Sequence, residues 1–263
     1  MNNVDYNYFF VLGGEDNEMV EIKRVLEKRG VPYWQPQMEW GNIKLEADTL
    51  PSESKNKHLV FVECRPAWLR EGSLGNSKIM IIDHHNELCD RPASLLQVLT
   101  LLKVKPTIRQ QLVASIDAEF LAKTIEKWPE RRKQIIAIWE KGYRKKFDDL
   151  KDYRKFKKYC KELFDEAEEE ASNGLIIIDQ APKSINMLSA FANLEGVECC
   201  IIGGRKDSED IKPCYYDGRP EVVGKLASLN LLKAHWGKYR LGCRAVPGKF
   251  VERVKLLRSS LVQ

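Results

Sequence analysis

The chain has 263 residues, 43% of them apolar and 31% charged, with a formal net charge of +5. That composition suits a globular protein with room for one large or two small cores, and the positive excess is too slight for a protein that coats DNA. No apolar run approaches the ~20 residues that span a bilayer, which excludes a helical membrane protein. Seven cysteines form no CxxC pair, and the first five residues are polar with no leader-like apolar core. An odd number of thiols without such a leader predicts a cytoplasmic protein.

Tyr6 to Leu12 is aromatic and apolar and predicts a first strand. A Gly13-Gly14 turn and an acidic loop follow, then apolar residues at 19, 22, 25 and 26 with helical spacing, closed by Gly30. Strand, glycine turn, helix is the opening of a βαβ unit. Asp16 and Glu18 lie where carboxylates favour a helix N-terminus. Val31 to Trp40 reads as a short strand with a loop, or as a flap, whose Trp34 and Trp40 either stack on a ligand ring or pack inside. Asn42 to Asn56 is polar and predicts a surface loop. His58 to Cys64 is the next strand, ending in Glu63 and stopped by Pro66. Ile79 to Ile82 has the look of a buried parallel strand, and it runs straight into Asp83-His84-His85. Active sites of open α/β sheets lie just past the carboxyl ends of such strands. One carboxylate and two imidazoles there can hold a transition metal; a plain helix cap by Asp83 is the alternative.

Further on, Ser94 and Gln97 have capping-box spacing after Pro92. Thr107 to Ala118 predicts a helix with Asp117 at its end, where the macrodipole disfavours a carboxylate unless a cation sits there. Residues 119–171 are helical and highly charged, basic over 144–161 and acidic over 162–170. Phe147, Leu150, Tyr153, Phe156, Cys160, Leu163 and Ala167 recur at three- and four-residue steps. That face either binds nucleic-acid backbone or is a solvated connector, and helix 144–170 is a candidate surface for a homo-oligomer or a protein partner. After residue 174 come a strand to Asp179, a helix near 184–194, the strand 197–202, the helix 220–229, a glycine-bearing segment from His235 to Ala245, and a closing helix.

The run Ile81-Ile82-Asp83-His84-His85 resembles the signature of the DHH phosphoesterases, a superfamily that includes RecJ-type exonucleases, hydrolases of small oligonucleotides and cyclic dinucleotides, and family II pyrophosphatases. The resemblance implies an α/β chain: a DHH-type metal-binding domain with a parallel sheet (1–135), a charged helical connector (136–173) and a smaller substrate-binding α/β domain (174–263). It implies metal ligands at Asp16, Glu18, Glu63, His84 and Asp117. His85 would face the scissile phosphate, and Asp83 would orient an imidazole. The family's first turn carries a histidine and two or three aspartates. Here the histidine position falls on Leu12 and the first aspartate on Gly14, so half of that motif is missing. The family's glycine-rich phosphate loop has no counterpart string. Its nearest equivalent is Trp236 to Arg244, with Lys238, Arg240 and Arg244 as anion partners; Arg65 is a further one.

The implied activity is metal-dependent hydrolysis of phosphodiesters in nucleotides or short nucleic acid. Up to two Mn²⁺ ions, with Mg²⁺ or Co²⁺ as alternatives, suit mixed nitrogen and oxygen ligands. Two other outcomes stay open. One is a catalytically degenerate module that binds nucleic acid, a nucleotide or a protein. The other is hydrolysis of pyrophosphate or polyphosphate at the same site.

Overall fold

A computed structural model describes residues 7–36, 41–43, 50–66, 79–169, 174–179, 181, 186–203, 209–229, 231–237 and 239–260. The chain divides into two compact units, residues 1–118 and 119–263.

The first unit is built on four parallel strands. β1 (Tyr8–Leu12) is buried on both faces from Phe9 onward, as a central parallel strand must be. α1 (Asn17–Arg29) starts where Asp16 accepts the Met19 amide at 2.7 Å and stops at Gly30, whose φ of 65° is left-handed. β2 (Tyr33–Trp34) pairs with one side of β1, and β4 (His58–Val62) pairs with the other. β6 (Ile79–Ile82) extends the sheet beyond β4, giving the order β2-β1-β4-β6. Strand order therefore reverses between β1 and β4, and the crevice past their carboxyl ends is where such sheets bind ligands.

β3 (Gly41–Ile43) and β5 (Cys64–Pro66) form a separate parallel pair, so the expected loop 42–56 begins in a strand. Trp34 packs partly buried against the cluster of Phe9, Val11 and Phe61. Trp40 lies outside the described residues. α2 (Ser94–Leu101) packs on α1 and β6. Its cap is Ala93, not Ser94, so the capping box is a correction: Gln97 Nε2 donates instead to Asp83 O at 3.1 Å and to Pro92 O at 2.7 Å. α3 (Ile108–Lys127) breaks helical geometry at Phe120, with φ 61° and ψ 177°. Two helices meet at this break, and Asp117 sits in the last turn of the first.

In the second unit, α4 (Arg132–Arg144) and α5 (Leu150–Glu169) precede β7 (Leu175–Ile178), α6 (Asn186–Glu195), β8 (Glu198–Ile202), β9 (Lys212–Asp217), α7 (Pro220–Ala227), β10 (Leu232–Trp236), β11 (Arg240–Ala245) and α8 (Pro247–Ser259). The sheet order is β10-β11-β9-β8-β7, with β7 and β8 parallel and the other pairs antiparallel. Alternate side chains of β7 and β8 feed two cores. Ile176, Ile178, Cys199 and Ile201 meet Tyr153, Cys160, Phe164 and Leu188 on one face. Leu175, Cys200 and Ile202 meet Val222, Leu226, Phe250 and Val254 on the other.

α5 is no free connector, because its apolar stripe is the cover of one sheet face. The division falls at 118/119, beside the break in α3. No described helix is long and apolar enough to cross a membrane.

Candidate metal centre at the mouth of the first sheet

The carboxyl ends of β1, β4 and β6 deliver the site. Gly13 follows β1, and its amide donates to Val62 O at 2.9 Å. A Cβ there would lie 2.7 Å from Glu63 O, so only glycine lets β1 approach the turn after β4 this closely. Glu63 itself has φ 51°, a left-handed conformation unusual for a side chain of its size. The residue is 5% exposed, and neither carboxylate oxygen has a hydrogen bond. Past β6, Asp83 Oδ1 accepts from the His85 amide at 3.0 Å and lies 2.9 Å from its Nδ1. Gln97 holds the Asp83 carbonyl from α2, so the Asp83-His84-His85 turn is braced on two sides.

His84 is the hub. Its Nε2 lies 2.8 Å from Asp117 Oδ2, 3.1 Å from Glu63 Oε1 and 3.3 Å from Glu18 Oε2. Glu18, fully buried, divides its duties: Oε1 accepts the Leu95 amide at the start of α2 at 2.9 Å, while Oε2 turns to His84. Glu63, His84, His85 and Asp117 each offer a ligand atom, and these lie within 4.8 Å of one another. Asp16 caps α1 and is close enough to feel the charges of Asp117 and Glu63.

One imidazole nitrogen carries at most one proton, and three carboxylates converge on it. Buried polar atoms normally find partners, yet Glu18 Oε2, both Glu63 oxygens and His84 Nε2 have no hydrogen bond of acceptable geometry. The electrostatics tell the same story. Burial, then the Asp117 and Glu63 charges, push the Asp16 carboxyl well above the carboxylate range, and burial and Asp117 do the same to Glu18. Burial works against charge on His84, but the carboxylates of Asp117, Glu18 and Glu63 close to its Nε2 outweigh it and hold the imidazolium far above its usual range. His85 moves upward too, burial again opposing and Asp83 prevailing. Asp117 and Asp83 stay ionised at lower pH than usual, because bonds to His84 and His85 overcome their burial. Four buried or half-buried carboxyls crowd one imidazole, two of them pushed toward the neutral form by the crowding, and a divalent cation with oxygen and nitrogen ligands fits that donor set.

No family model matches the sequence, and no curated protein matches it. The structure is similar to that of the pGpG-specific phosphodiesterase PggH of Vibrio cholerae, with a TM-score of 0.50 at 10% identity over 95% of this chain and 99% of that one. The two chains share a fold. A second similar structure is RecJ of Thermus thermophilus in complex with Mn²⁺, with a TM-score of 0.42 at 12% identity over 96% of this chain and 52% of that chain.

Of the residues expected from the DHH resemblance, the structure brings Glu18, Glu63, His84, His85 and Asp117 together, with Asp16 beside them and Asp83 bracing His85. The anion partners fare differently. Arg65 is half-buried in β5, two residues past Glu63, with no ion pair among the described residues. Lys238 lies outside the described residues.

The expected glycine loop is an antiparallel hairpin instead, with Gly242 buried in β11 opposite Tyr215 and His235. Arg240, expected to bind phosphate, is engaged with residues of its own unit. Its Nε donates to Asp217 Oδ1 at 2.5 Å, its Nη2 bonds Ser189 and Asp217, and its guanidinium lies 4.4 Å from the Phe120 ring centroid. Arg244 is exposed and reaches Ile211 O at 3.4 Å. Gly13 and the brace Gln97 went unread in the sequence. Only the Gly-Gly turn after the first strand hinted at a close approach.

Proposed function

We propose that the chain is a metal-dependent phosphodiesterase for nucleotides or short nucleic acid. The observation that carries this reading is the His84 imidazole facing three carboxylates at 2.8–3.3 Å, with buried oxygens left unpaired at the switch point of a parallel sheet. Glu18, Glu63, His84 and Asp117 would hold the ion, with Asp16 available to a second one, and Mn²⁺ suits the ligand types. A divalent ion bound there supplies Lewis-acid polarisation of a phosphoryl oxygen and a water of lowered pKa.

The chain's own groups do the rest. Asp83 fixes the tautomer and tilt of His85 and favours its cationic form, which suits contact with a phosphoryl oxygen. Glu18 ties the ligand cluster to the start of α2, so the site is held by three helices and three strand ends. Arg65, close to Glu63 in the chain, is the further partner proposed for substrate phosphate. Lys238 and Arg244 are proposed as further phosphate partners.

A linear guanine dinucleotide is the first substrate to try, since the similar phosphodiesterase acts on pGpG. Purified protein with Mn²⁺ should release mononucleotide, and Asp83→Ala and His84→Ala should abolish release. Equal release by both variants would discard the enzymatic reading. Release of phosphate from pyrophosphate, with no cleavage of the dinucleotide, would move the substrate to pyrophosphate. A second reading rests on Leu12 and Gly14, which stand where the family has ligands. On that reading the chain binds its nucleotide without turnover, and elemental analysis would find no more than one metal per chain.

A further inference from the structure

The segment 141–158 carries nine basic residues and three acidic ones, a local excess of +6 that exceeds the +5 of the entire chain. The next twelve residues, 159–170, carry one lysine against six acids. Along α5 this puts cations toward the N-terminal end and carboxylates toward the C-terminal end, the reverse of what the helix dipole rewards. Helix stability does not explain the pattern, and where a local rule is broken a functional demand is the natural source.

The geometry gathers these charges. Lys151, Arg154, Lys155 and Lys158 follow one another at i, i+3, i+4 and i+7, all exposed, on a single stripe about 10 Å long. Exposed Lys141, Arg144, Lys145 and Lys146 join them from the end of α4 and the turn. Lys157 is spoken for by Glu140, and Lys158 lies 3.5 Å from Glu162. Lys141, Arg144, Lys145, Lys151, Arg154 and Lys155 have no ion pair among the described residues. The acids present are Asp148, Asp149 and Asp152, and Asp149 is occupied with the Asp152 amide at 2.7 Å.

An aromatic cluster makes the tip rigid: Trp139 stacks on Tyr143 at 5.3 Å, and Phe147 meets Tyr153 at 5.6 Å and Phe156 at 5.3 Å. Cations presented on a stiff support need little ordering when they bind. Tyr159, 45% exposed and one turn past Lys155, offers a ring on which a base can stack.

We propose that this α4–α5 tip binds the sugar–phosphate backbone of single-stranded nucleic acid, through residues that take no part in the metal centre. A membrane surface fits less well, because the apolar side of α5 (Tyr153, Cys160, Phe164) is already buried in the core and leaves nothing to insert. The proposal extends the phosphodiesterase reading to strands longer than a dinucleotide, and it is testable without turnover.

The experiment is fluorescence anisotropy of a labelled twenty-nucleotide oligothymidylate with the full chain in EDTA. About four phosphate contacts predict a log–log salt slope near −3, so binding weakens about 50-fold between 50 and 200 mM salt. The triple variant Lys151→Glu, Arg154→Glu, Lys155→Glu should lower that slope by about 2. It should bind at least tenfold more weakly at 50 mM salt. Its fold is not at risk, because acids near a helix N-terminus favour the dipole; the thermal midpoint checks this. A control with equal charge change, Lys249→Glu, Arg253→Glu, Lys255→Glu on exposed positions of α8, should bind as the parent does. Equal loss in the control, no loss in the tip variant, or tighter binding to phosphatidylserine vesicles than to the oligonucleotide would overturn the proposal. Absence of hydrolysis would count against the proposed activity and leave this result standing.

Discussion

Glu18→Gln separates the metal-free from the metal-bound energetics of the first unit. In the metal-free protein Glu18 is fully buried, 3.3 Å from His84 Nε2. Attraction to an imidazolium at that distance is worth about 5 kcal/mol at an effective dielectric of 20. Burial and the Asp117 and Glu63 charges oppose it, and the net upward displacement of the Glu18 pKa means that they prevail. Glutamine keeps the acceptor for the Leu95 amide, losing only about 1 kcal/mol of charge assistance.

The variant should therefore be more stable than the parent in EDTA at neutral pH, by on the order of 1–2 kcal/mol, or roughly 2–8 °C for a chain of this size. A carboxyl whose folded pKa is raised binds more protons folded than unfolded, so it loses stability as pH rises from the unfolded value toward the folded one. The difference between variant and parent should thus vanish below the ordinary value of 4.5 and grow above it. With Mn²⁺ at one hundred times its dissociation constant the parent should gain about 2.7 kcal/mol, and the variant much less. Thermal melts with and without Mn²⁺ across pH measure all of this. A variant that melts lower in EDTA, or a parent indifferent to Mn²⁺, would refute the reasoning.

Three further outcomes follow from the same geometry. Asp83→Asn leaves His85 without its anionic partner, so its pKa should fall and the alkaline limb of the rate profile should move down with it, at a cost of about 10–100-fold in activity; an unmoved limb would show that His85 does not titrate in the reaction. Gly13→Ala drives a methyl against Glu63 O and should lower stability by roughly 1–3 kcal/mol and weaken Mn²⁺ binding, seen by calorimetry. Arg240→Ala strips the buried Asp217 of its cation and should cost about 3–5 kcal/mol in unfolding; a variant of normal stability with only a raised KM would return Arg240 to the substrate.

Patterns of short range were legible in the chain. The period-two and apolar runs at 8–12, 58–62 and 79–82, and the helical spacing that ends at Gly30, follow from contacts within a few residues, so sequence alone located those elements. The Asp83-His84-His85 turn and the carboxylates at 18, 63 and 117 were likewise visible, because a buried ligand cluster needs residue types that are conspicuous after apolar strands. Asp117 was read at a helix end, and the break at Phe120 that ends that helix is one no residue type announces.

What only the tertiary structure decided is who meets whom across long separations. Glu18 accepts the amide of Leu95, 77 residues later, and Arg240 closes on Asp217 and Ser189. The charged helix α5 covers a sheet, because a half-apolar helix lowers its free energy by burying that stripe on whichever face the topology presents. A residue's chemistry is written in the chain, but its partner is set by packing, and the partner decides whether a charge serves a metal, a phosphate or the core.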